Sequence, residues 1–206
     1  MQVTRIELPQ MPQPVQDCLQ RVRDAGGQAW VVGGAVRDLL QGGNPDDFDL
    51  ASDLPPLELA KILPQAQMRE AALGTCRTTI GGRVLTVTTL RSESGYSDRR
   101  HPDEVAFVTD IAVDAKRRDF TVNALYYNPE TSELLDPVNG HADLQASVLR
   151  TIGDPSRRFQ EDPLRLLRLV RFAASANLQI DADTADAARA CARDISSISA
   201  ERIYAE

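Results

Sequence analysis

One short apolar run that ends at two glycines restricts the fold of this chain more than any other feature of its sequence. Ala29–Val32 holds four consecutive apolar residues, which is typical of a buried strand. Gly33 and Gly34 follow directly, and the next residues, AVRDLL, have a helical pattern. Glycines between a strand and a helix let backbone N–H groups approach an anion, although an ordinary tight turn has the same sequence. The segment therefore predicts a core strand, a turn and a helix, with phosphate binding as its functional interpretation.

Apolar periodicity divides the chain into a mixed part and a helical part. In the first part the pattern predicts strands over 48–51, 76–80, 84–90 and 105–108. Helices are predicted over 14–25, 55–63 and 116–125, and a mobile polar loop over 91–103. After residue 141 the strand signals stop, and helices are predicted over 161–176, 181–193 and 199–206. The fold class that follows is α+β, with a mixed sheet flanked by helices in residues 1–141 and an all-helical segment in 142–206.

Composition and charge exclude several classes of protein. No apolar run approaches the length of a membrane span, and the N-terminus lacks the features of a secretory signal. The three cysteines are far apart, have no zinc-site spacing and suit a reducing cytoplasm. The formal net charge of −7 is unusual for a nucleic-acid-binding protein. Residues 46–58 are nevertheless acidic and residues 150–171 are rich in arginine, which predicts a metal site and a phosphate-facing surface, or two solvated faces.

Asp47 and Asp49 are the most informative pair for chemistry. They are separated by one residue of a predicted strand, so both carboxylates are expected on one face. Two neighbouring carboxylates repel each other unless a cation lies between them, and their oxygens suit Mg²⁺, which also binds substrate phosphates. A solvated acidic turn would have the same sequence. The upstream glycine turn and Arg37, which can donate two hydrogen bonds to a phosphate, favour the metal site.

Four segments in order resemble the poly(A) polymerase and CCA-adding branch of the nucleotidyltransferase superfamily. They are GGAVRDLL-(x)6-DFDLAS at 33–52, RRDFTVNAL at 117–125, DPVNGHADL at 136–144 and EDPLRLLRLVRFAA at 161–174. The chain as a whole resembles the head and neck of a class II tRNA nucleotidyltransferase. The resemblance implies a polymerase β-like head at 1–141 and a helical neck at 142–206. Related proteins continue into a helical body and tail, so this chain is expected to be truncated.

The resemblance implies a role for each matching residue of the head. Asp47 and Asp49 match the catalytic residues that hold two Mg²⁺ ions. The residues that match the triphosphate contacts are Gly33, Gly34 and Arg37. The residues that match the contacts to the nucleotide and its ribose are Arg118, Asp119 and Asn123. An ionised aspartate can accept a hydrogen bond from a 2′-hydroxyl, and an arginine can reach phosphates, so these types of residue fit the implied roles.

The last of the four segments resembles the protein template that reads the incoming base. Asp162 and Arg165 match the pair that contacts the Watson–Crick edge, and Arg168 and Arg171 continue toward the nucleotide or the RNA end. An aspartate accepts from an exocyclic amino group, which both C and A carry, and an arginine donates to ring acceptors. Asp162 followed by Pro163 is also a good start for a helix, and one residue can serve both purposes.

The predicted loop and one strand position complete the comparison with the family. The loop matches the family's flexible loop, and its charged residues are expected to act as a lever or to form a charged surface: Arg91, Asp98, Arg99 and Arg100. Many members have an acidic residue where this chain has Thr86, which puts a third metal carboxylate in doubt, although Glu93 is nearby. The family's fifth motif begins at Glu201-Arg202.

The function implied by the resemblance is addition of CTP and ATP to the 3′ end of tRNA, without a nucleic-acid template, in the cytoplasm. Enzymes that add only CC or only A, and bacterial poly(A) polymerases, share these motifs and stay open as alternatives. The strand sequence CRTTIGGRVLTVTTL favours the CCA-adding side over the polymerases. A nucleotide-binding or RNA-binding module without catalysis is the remaining class, and it would not need a close carboxylate pair. No membrane association and no particular oligomeric state is predicted.

Overall fold

The computed structural model of this protein describes residues 1–69 and 71–206 and has the predicted α+β architecture. The strands are β1 (Gln2–Arg5), β2 (Ala29–Val32), β3 (Asp49–Ser52), β4 (Gln67–Arg69), β5 (Thr75–Ile80), β6 (Arg83–Thr89), β7 (Arg91–Ser94), β8 (Glu104–Phe107), β9 (Tyr126–Asn128), β10 (Glu133–Asp136), β11 (Val148–Leu149) and β12 (Gln179–Ile180). The α-helices are α1 (Gln13–Asp24), α2 (Gly34–Leu40), α3 (Pro56–Ile62), α4 (Ile111–Arg117), α5 (Gly140–Gln145), α6 (Pro155–Glu161), α7 (Leu164–Ser175), α8 (Ala182–Cys191) and α9 (Ala200–Ala205).

The main sheet has its strands in the order β1-β10-β9-β2-β3-β6-β5-β4. Neighbouring strands are antiparallel except β3 and β6, which run parallel with Asp49 opposite Thr86. Strands β7 and β8 form a separate hairpin, and β11 and β12 form a small parallel pair. The mixed sheet confirms the fold class expected from the sequence.

Strand β2 lies inside the sheet and is buried on both faces. Ala29 and Val31 belong to a large apolar cluster with α1 and α2, whereas Trp30 and Val32 pack on the opposite face with Ile111 of α4. This two-sided burial explains why the strand is a continuous apolar run and not an alternating one. Because β2 is fixed by this packing, the glycine turn that follows it is held at a defined position.

The helices that follow residue 141 share an apolar core with the main sheet. Phe159 of α6 and Leu166, Leu169 and Phe172 of α7 belong to the same apolar cluster as Val31 of β2. The core is therefore continuous between the two predicted parts, and the boundary predicted after residue 141 falls within α5. Within the described residues, no helix combines the length and the apolar character needed to cross a membrane.

Several local predictions were wrong. The helix expected over 116–125 is absent as such: α4 ends at Arg117, the next residues are extended, and a short 3-10 turn covers Thr121–Asn123. The extended stretch arises because Phe120 forms a β-bridge with Thr151, and backbone pairing outcompetes the helical pattern. The strand predicted over 48–51 begins one residue later, at Asp49, so Asp47 lies two residues before the strand.

The predicted mobile loop is shorter than expected. Its first four residues form β7, because Arg91–Ser94 pairs along its full length with β8. The helical part likewise contains the short strands β11 and β12, so strand structure does not stop at residue 141. The sequence patterns also missed β1, β4, β9, β10, α5 and α6, most of which are too short to show a periodicity.

Candidate active site

One cavity of about 990 Å³ collects nearly all of the predicted site residues. Its wall combines the turn after β2, the start of β3, strand β7, the segment after α4, and α7. Of the sixteen predicted residues, fourteen line the cavity, and only Asp98 and Arg99 do not. Residues from distant parts of the sequence therefore meet at one place, with eight arginine side chains in the wall: Arg37, Arg91, Arg100, Arg117, Arg118, Arg165, Arg168 and Arg171.

Asp47 and Asp49 lie side by side at the start of β3 and face the cavity, whereas Phe48 and Leu50 point into the core. Neither carboxylate accepts a hydrogen bond or ion pair from any residue the structure describes. Asp49 is solvent-exposed, yet desolvation by the cavity wall raises its pKa, and the charge of Asp47 raises it further against the opposing effect of Arg118. Two unpaired carboxylates with mutual repulsion are the donor set that a hard divalent cation relieves.

Most of the other carboxylates of the cavity are already engaged by protein groups, whereas that of the exposed Asp46 is not. Thr86, opposite Asp49 in the sheet, supplies no charge at the position where a third carboxylate was in question. Glu93 accepts from Arg91 Nε at 2.7 Å and from the Tyr96 hydroxyl at 2.5 Å. Although burial alone would raise the pKa of Glu93, Arg91, Arg117 and the Tyr96 hydrogen bond lower it. The Glu93 carboxylate is therefore already used by its contacts with Arg91 and Tyr96. In the described part of the chain, no group of three or more acidic, histidine or cysteine side chains is arranged to hold a metal.

Gly33 and Arg37 form one side of the cavity at the start of α2. Gly33 has φ of +78°, a left-handed conformation that strains residues with a Cβ atom. Arg37 lies one turn into the helix and is buried, with 6% of its surface exposed. Its guanidinium donates to Asp38 Oδ1 at 2.7 and 2.9 Å and to Asn123 Oδ1 at 2.8 Å. These contacts fix its orientation beside the glycine turn.

A chain of hydrogen bonds crosses from Arg37 to α7. Asn123 accepts from Arg37 and donates to Asp119 Oδ1 at 3.3 Å. The second carboxylate oxygen of Asp119 accepts from Arg168 Nε and Nη2 at 2.8 and 2.6 Å. Desolvation alone would raise the pKa of Asp119, but Arg168 and these hydrogen bonds lower it. Asp119 therefore orients an arginine of α7, and the ribose contact that the sequence implied for it stays a prediction.

Arg118 is held by a buried carboxylate that the sequence patterns did not single out. Asp114 is fully buried, and its oxygens accept from Arg117 Nε at 2.8 Å, from Arg118 Nε at 3.1 Å and from the Tyr126 hydroxyl at 2.5 Å. One oxygen also accepts from the backbone N–H of Arg91 at 3.0 Å. Asp114 thus joins α4, β7 and β9. In the sequence, Asp114 lies three residues before Arg117 and four before Arg118, and this helical spacing could have predicted the ion pairs.

Asp162 and Arg165 both line the cavity but are partly engaged by protein. Asp162 accepts from the backbone N–H of Leu164 at 3.1 Å and from Arg202 at 3.0 Å, so it contributes to the start of α7 as well. Arg165 uses one terminal nitrogen, Nη1, to donate to Arg158 O at 2.9 Å and Glu161 Oε2 at 3.0 Å. Its Nε and Nη2 donate to no described residue. One edge of the guanidinium is thus available to a ligand.

The residues after β7 connect the strand hairpin to the helical part. Arg99 forms an ion pair with Asp194 at 2.8 Å and contacts Gln160 O at 3.3 Å. Asp98 instead accepts from its own turn, from the backbone N–H groups of Arg100 and His101. Arg91 is not part of a loop; it is buried in β7 and paired with Glu93. Arg100 lines the cavity, so the four predicted loop residues do not share one environment.

The fold is that of a nucleotidyltransferase head. The sequence model of the family described as "Poly A polymerase head domain" matches residues 29–150, more than half of the chain. The chain therefore belongs to this family. The match covers β2 through the residues before α6, which include the carboxylate pair, the glycine turn and the segment after α4.

Curated relatives carry a more specific name. The CCA-adding enzyme of Pediococcus pentosaceus is 40% identical over 199 residues, which are 95% of this chain and 50% of that protein. The CCA-adding enzyme of Streptococcus mutans is 40% identical over 199 residues, which are 97% of this chain and 49% of that protein. The chain thus spans about half the length of the curated relatives it matches.

Solved structures show the same fold. The CCA-adding enzyme of Bacillus stearothermophilus in complex with CTP superposes with a TM-score of 0.83 at 33% identity, covering 94% of this chain and 47% of that one. The Thermotoga maritima CCA-adding enzyme complexed with tRNA superposes with a TM-score of 0.75 at 23% identity, covering 95% of this chain and 46% of that one. The second similarity concerns the fold alone.

Proposed function

We propose that this chain is the head and neck of a tRNA nucleotidyltransferase that adds CTP and ATP to the tRNA 3′ end to make CCA in the cytoplasm. The observation that carries the proposal is the unpaired carboxylate pair, Asp47 and Asp49, in an arginine-rich cavity beside a glycine turn. The names of the curated relatives support the choice of CCA addition within the family.

The proposed chemistry is nucleotidyl transfer. The 3′-hydroxyl oxygen of the RNA forms a bond to the α-phosphorus of the nucleotide as the bond to the β-phosphate oxygen breaks, which releases pyrophosphate. Arg37 and the turn at Gly33-Gly34 would hold the triphosphate, with Arg37 already oriented by Asp38 and Asn123. Arg118 lies close enough to Asp49 to lower its pKa, so it is placed to neutralise a phosphate bound there. Positioning and charge stabilisation are the main needs of such a reaction.

Asp47 and Asp49 fit Mg²⁺, because they are adjacent, unpaired among the described residues and offer only oxygen ligands. Two such ions would activate the attacking hydroxyl and stabilise the leaving pyrophosphate when bound. Thr86 opposite Asp49 carries no charge and Glu93 is held by arginines, so the proposed site takes its two carboxylates from Asp47 and Asp49, and substrate phosphates would complete the coordination.

Extension of a tRNA by single nucleotides tests the proposal. A tRNA lacking its last three residues, and others ending in C and CC, are incubated with Mg²⁺ and each nucleoside triphosphate separately. We expect two additions with CTP, followed by one with ATP, and then termination. CTP addition that stops at CC, or addition of A to CC only, would identify a specialised enzyme. Repeated addition of A identifies a poly(A) polymerase. Nucleotide binding without extension of any RNA contradicts catalysis altogether.

Replacement of Arg165 by lysine is expected to damage selection among bases more than affinity for the triphosphate. The two guanidinium nitrogens that donate to no described residue would be lost to a base edge, whereas the positive charge near Glu161 stays. A site that loses a hydrogen bond to a base discriminates less, by about 10-fold or more. The measurement is the ratio of kcat/KM for CTP and ATP to that for UTP and GTP.

Arg157→Ala is the matched control for this prediction. Arg157 pairs with the same Glu161 at 3.1 Å but faces solvent and does not line the cavity. It should leave the preference among the four nucleotides unchanged. If Arg165→Lys also keeps the original preference, Arg165 serves only to stabilise α6 and α7.

A further inference from the structure

Phe172 has three arginine guanidinium groups around its ring. The central carbon of Arg171 lies 4.1 Å from the ring centroid, and those of Arg37 and Arg168 each lie at 5.1 Å. Arg168 and Arg171 belong to the same helix as Phe172: Arg168 lies one helical turn before it, and Arg171 is its neighbour in the sequence. Arg37 comes from α2, a different element of the cavity wall. Its contact with Phe172 joins the triphosphate side of the cavity to α7.

Each of these guanidinium groups is held at its edge by a carboxylate. Arg37 pairs with Asp38 at 2.7 Å, Arg168 with Asp119 at 2.6 Å and Arg171 with Glu206 at 2.6 Å. These ion pairs engage nitrogens at the edge of each planar group and not its face. The negative face of an aromatic ring attracts cations, and the attraction is strongest where water is excluded. Phe172 is 8% exposed and Arg37 6% exposed, so their contact is largely desolvated.

We propose that Phe172 is a positioning residue that holds Arg37 of the head against α7 of the neck. Triphosphate binding by Arg37 then depends on a side chain of the neck, which lies outside the segment matched by the family of the head domain. The inference rests on the proposed function for the role of Arg37, but the contact itself does not depend on which nucleotides are added. Phe172 acts through Arg37 and does not itself touch the reacting atoms.

A purely structural role is the competing explanation. Phe172 belongs to the main apolar cluster and packs edge-to-face on Phe120, with ring centroids 5.8 Å apart. Phe172→Leu removes the aromatic ring but keeps an apolar side chain, and Phe172→Tyr keeps the ring. Phe159→Leu is the matched control, since Phe159 is fully buried in the same cluster and has no arginine over its ring among the described contacts.

Binding of triphosphate, measured by calorimetry on the 206-residue chain, tests the proposal without RNA. The probes are inorganic tripolyphosphate without divalent cations and CTP with Mg²⁺. Phe172→Leu is expected to weaken both affinities by roughly 5- to 30-fold, the range that a desolvated cation–π contact supports. Phe172→Tyr should retain affinity within about 3-fold of the original, because the aromatic ring stays in place. In the addition reaction, Phe172→Leu should raise KM for CTP more than it lowers kcat.

A double-mutant cycle with Arg37→Ala identifies the arginine concerned. In the Arg37→Ala background, Phe172→Leu should cause little further loss, because its effect passes through Arg37. Equal losses in Phe172→Leu and Phe159→Leu, or full additivity with Arg37→Ala, would overturn the proposal. If no tRNA is extended but Phe172→Leu still weakens tripolyphosphate binding, only the proposed function fails. Extension of tRNA with unchanged binding in Phe172→Leu would reject the positioning role alone.

Discussion

Asp49→Asn is expected to reduce nucleotide addition by about 10³-fold or more, and Asp47→Asn to have an effect of the same order. The reason is the loss of one of the two neighbouring carboxylates at the start of β3 that face the cavity and have no protein partner among the described residues. Asparagine keeps the shape of the side chain but lacks the charge that binds a divalent cation. Single-turnover addition of CTP to a tRNA lacking its CCA end measures the effect.

The fold should survive both substitutions. Removing one of two repelling carboxylates leaves the free energy of unfolding unchanged or slightly increased, which is common at functional sites. Asp46→Asn is the control, because Asp46 lines the same cavity and is exposed, and only its backbone carbonyl is used, by Arg83 at 2.7 Å. Asp46→Asn should retain nearly full activity. A folded Asp47→Asn, Asp49→Asn double variant with near-normal activity would reject the metal assignment.

Asp114→Ala is expected to lower the free energy of unfolding by about 3–5 kcal/mol, the usual cost of removing one partner from a buried ion pair. Arg117 and Arg118 would lose the carboxylate that both contact, and the Tyr126 hydroxyl would lose its acceptor. Urea unfolding followed by circular dichroism measures the change. Asp110→Ala is the control in the same helix: Asp110 is an exposed cap of α4, and its loss should cost about 1 kcal/mol.

The pH dependence of stability provides a second measurement of the same carboxyl. Burial alone would raise the pKa of Asp114, but Arg118, Arg117 and its hydrogen bonds lower it from 3.8 to about 2. The ionised form therefore stabilises the fold fully above pH 4, and this contribution, about 2 kcal/mol, is lost as the pH falls from about 4 to about 2. Asp114→Asn should show a weaker loss of stability across that interval. Equal slopes in both proteins would contradict the role of Asp114.

The sequence predicted which residues form the site better than it predicted the long-range contacts between them. The bounds of β2 and the convergence of Asp47, Asp49 and Arg37 on one cavity follow from local patterns and from the family resemblance. The helix expected over 116–125 was wrong because the bridge between Phe120 and Thr151 is a long-range contact. No periodicity within one segment encodes such a pairing.

Partners of charged residues were the least predictable feature. Arg168 and Arg37 were expected to face the nucleotide, yet each is first held by a carboxylate of the protein, Asp119 and Asp38 respectively. The ring of Phe172 reads in the sequence as one more apolar position of an amphipathic helix, and Asp114 as one more charge on α4. Only the three-dimensional arrangement shows that both lie at points where several arginines meet.

The strand order also determines how much of the chain must be synthesised before the main sheet can be completed. Strand β2 is made early, but one of its two neighbours is β9, and the sheet ends at β1 paired with β10, so residues up to Asp136 are required for closure. Until then the nascent chain presents an apolar strand with an unpaired edge, which is a site for misassociation with other chains. A pause or a premature stop before Tyr126 would therefore yield an aggregation-prone product. A stop after the sheet is complete would release a chain in which β9 already covers the edge of β2.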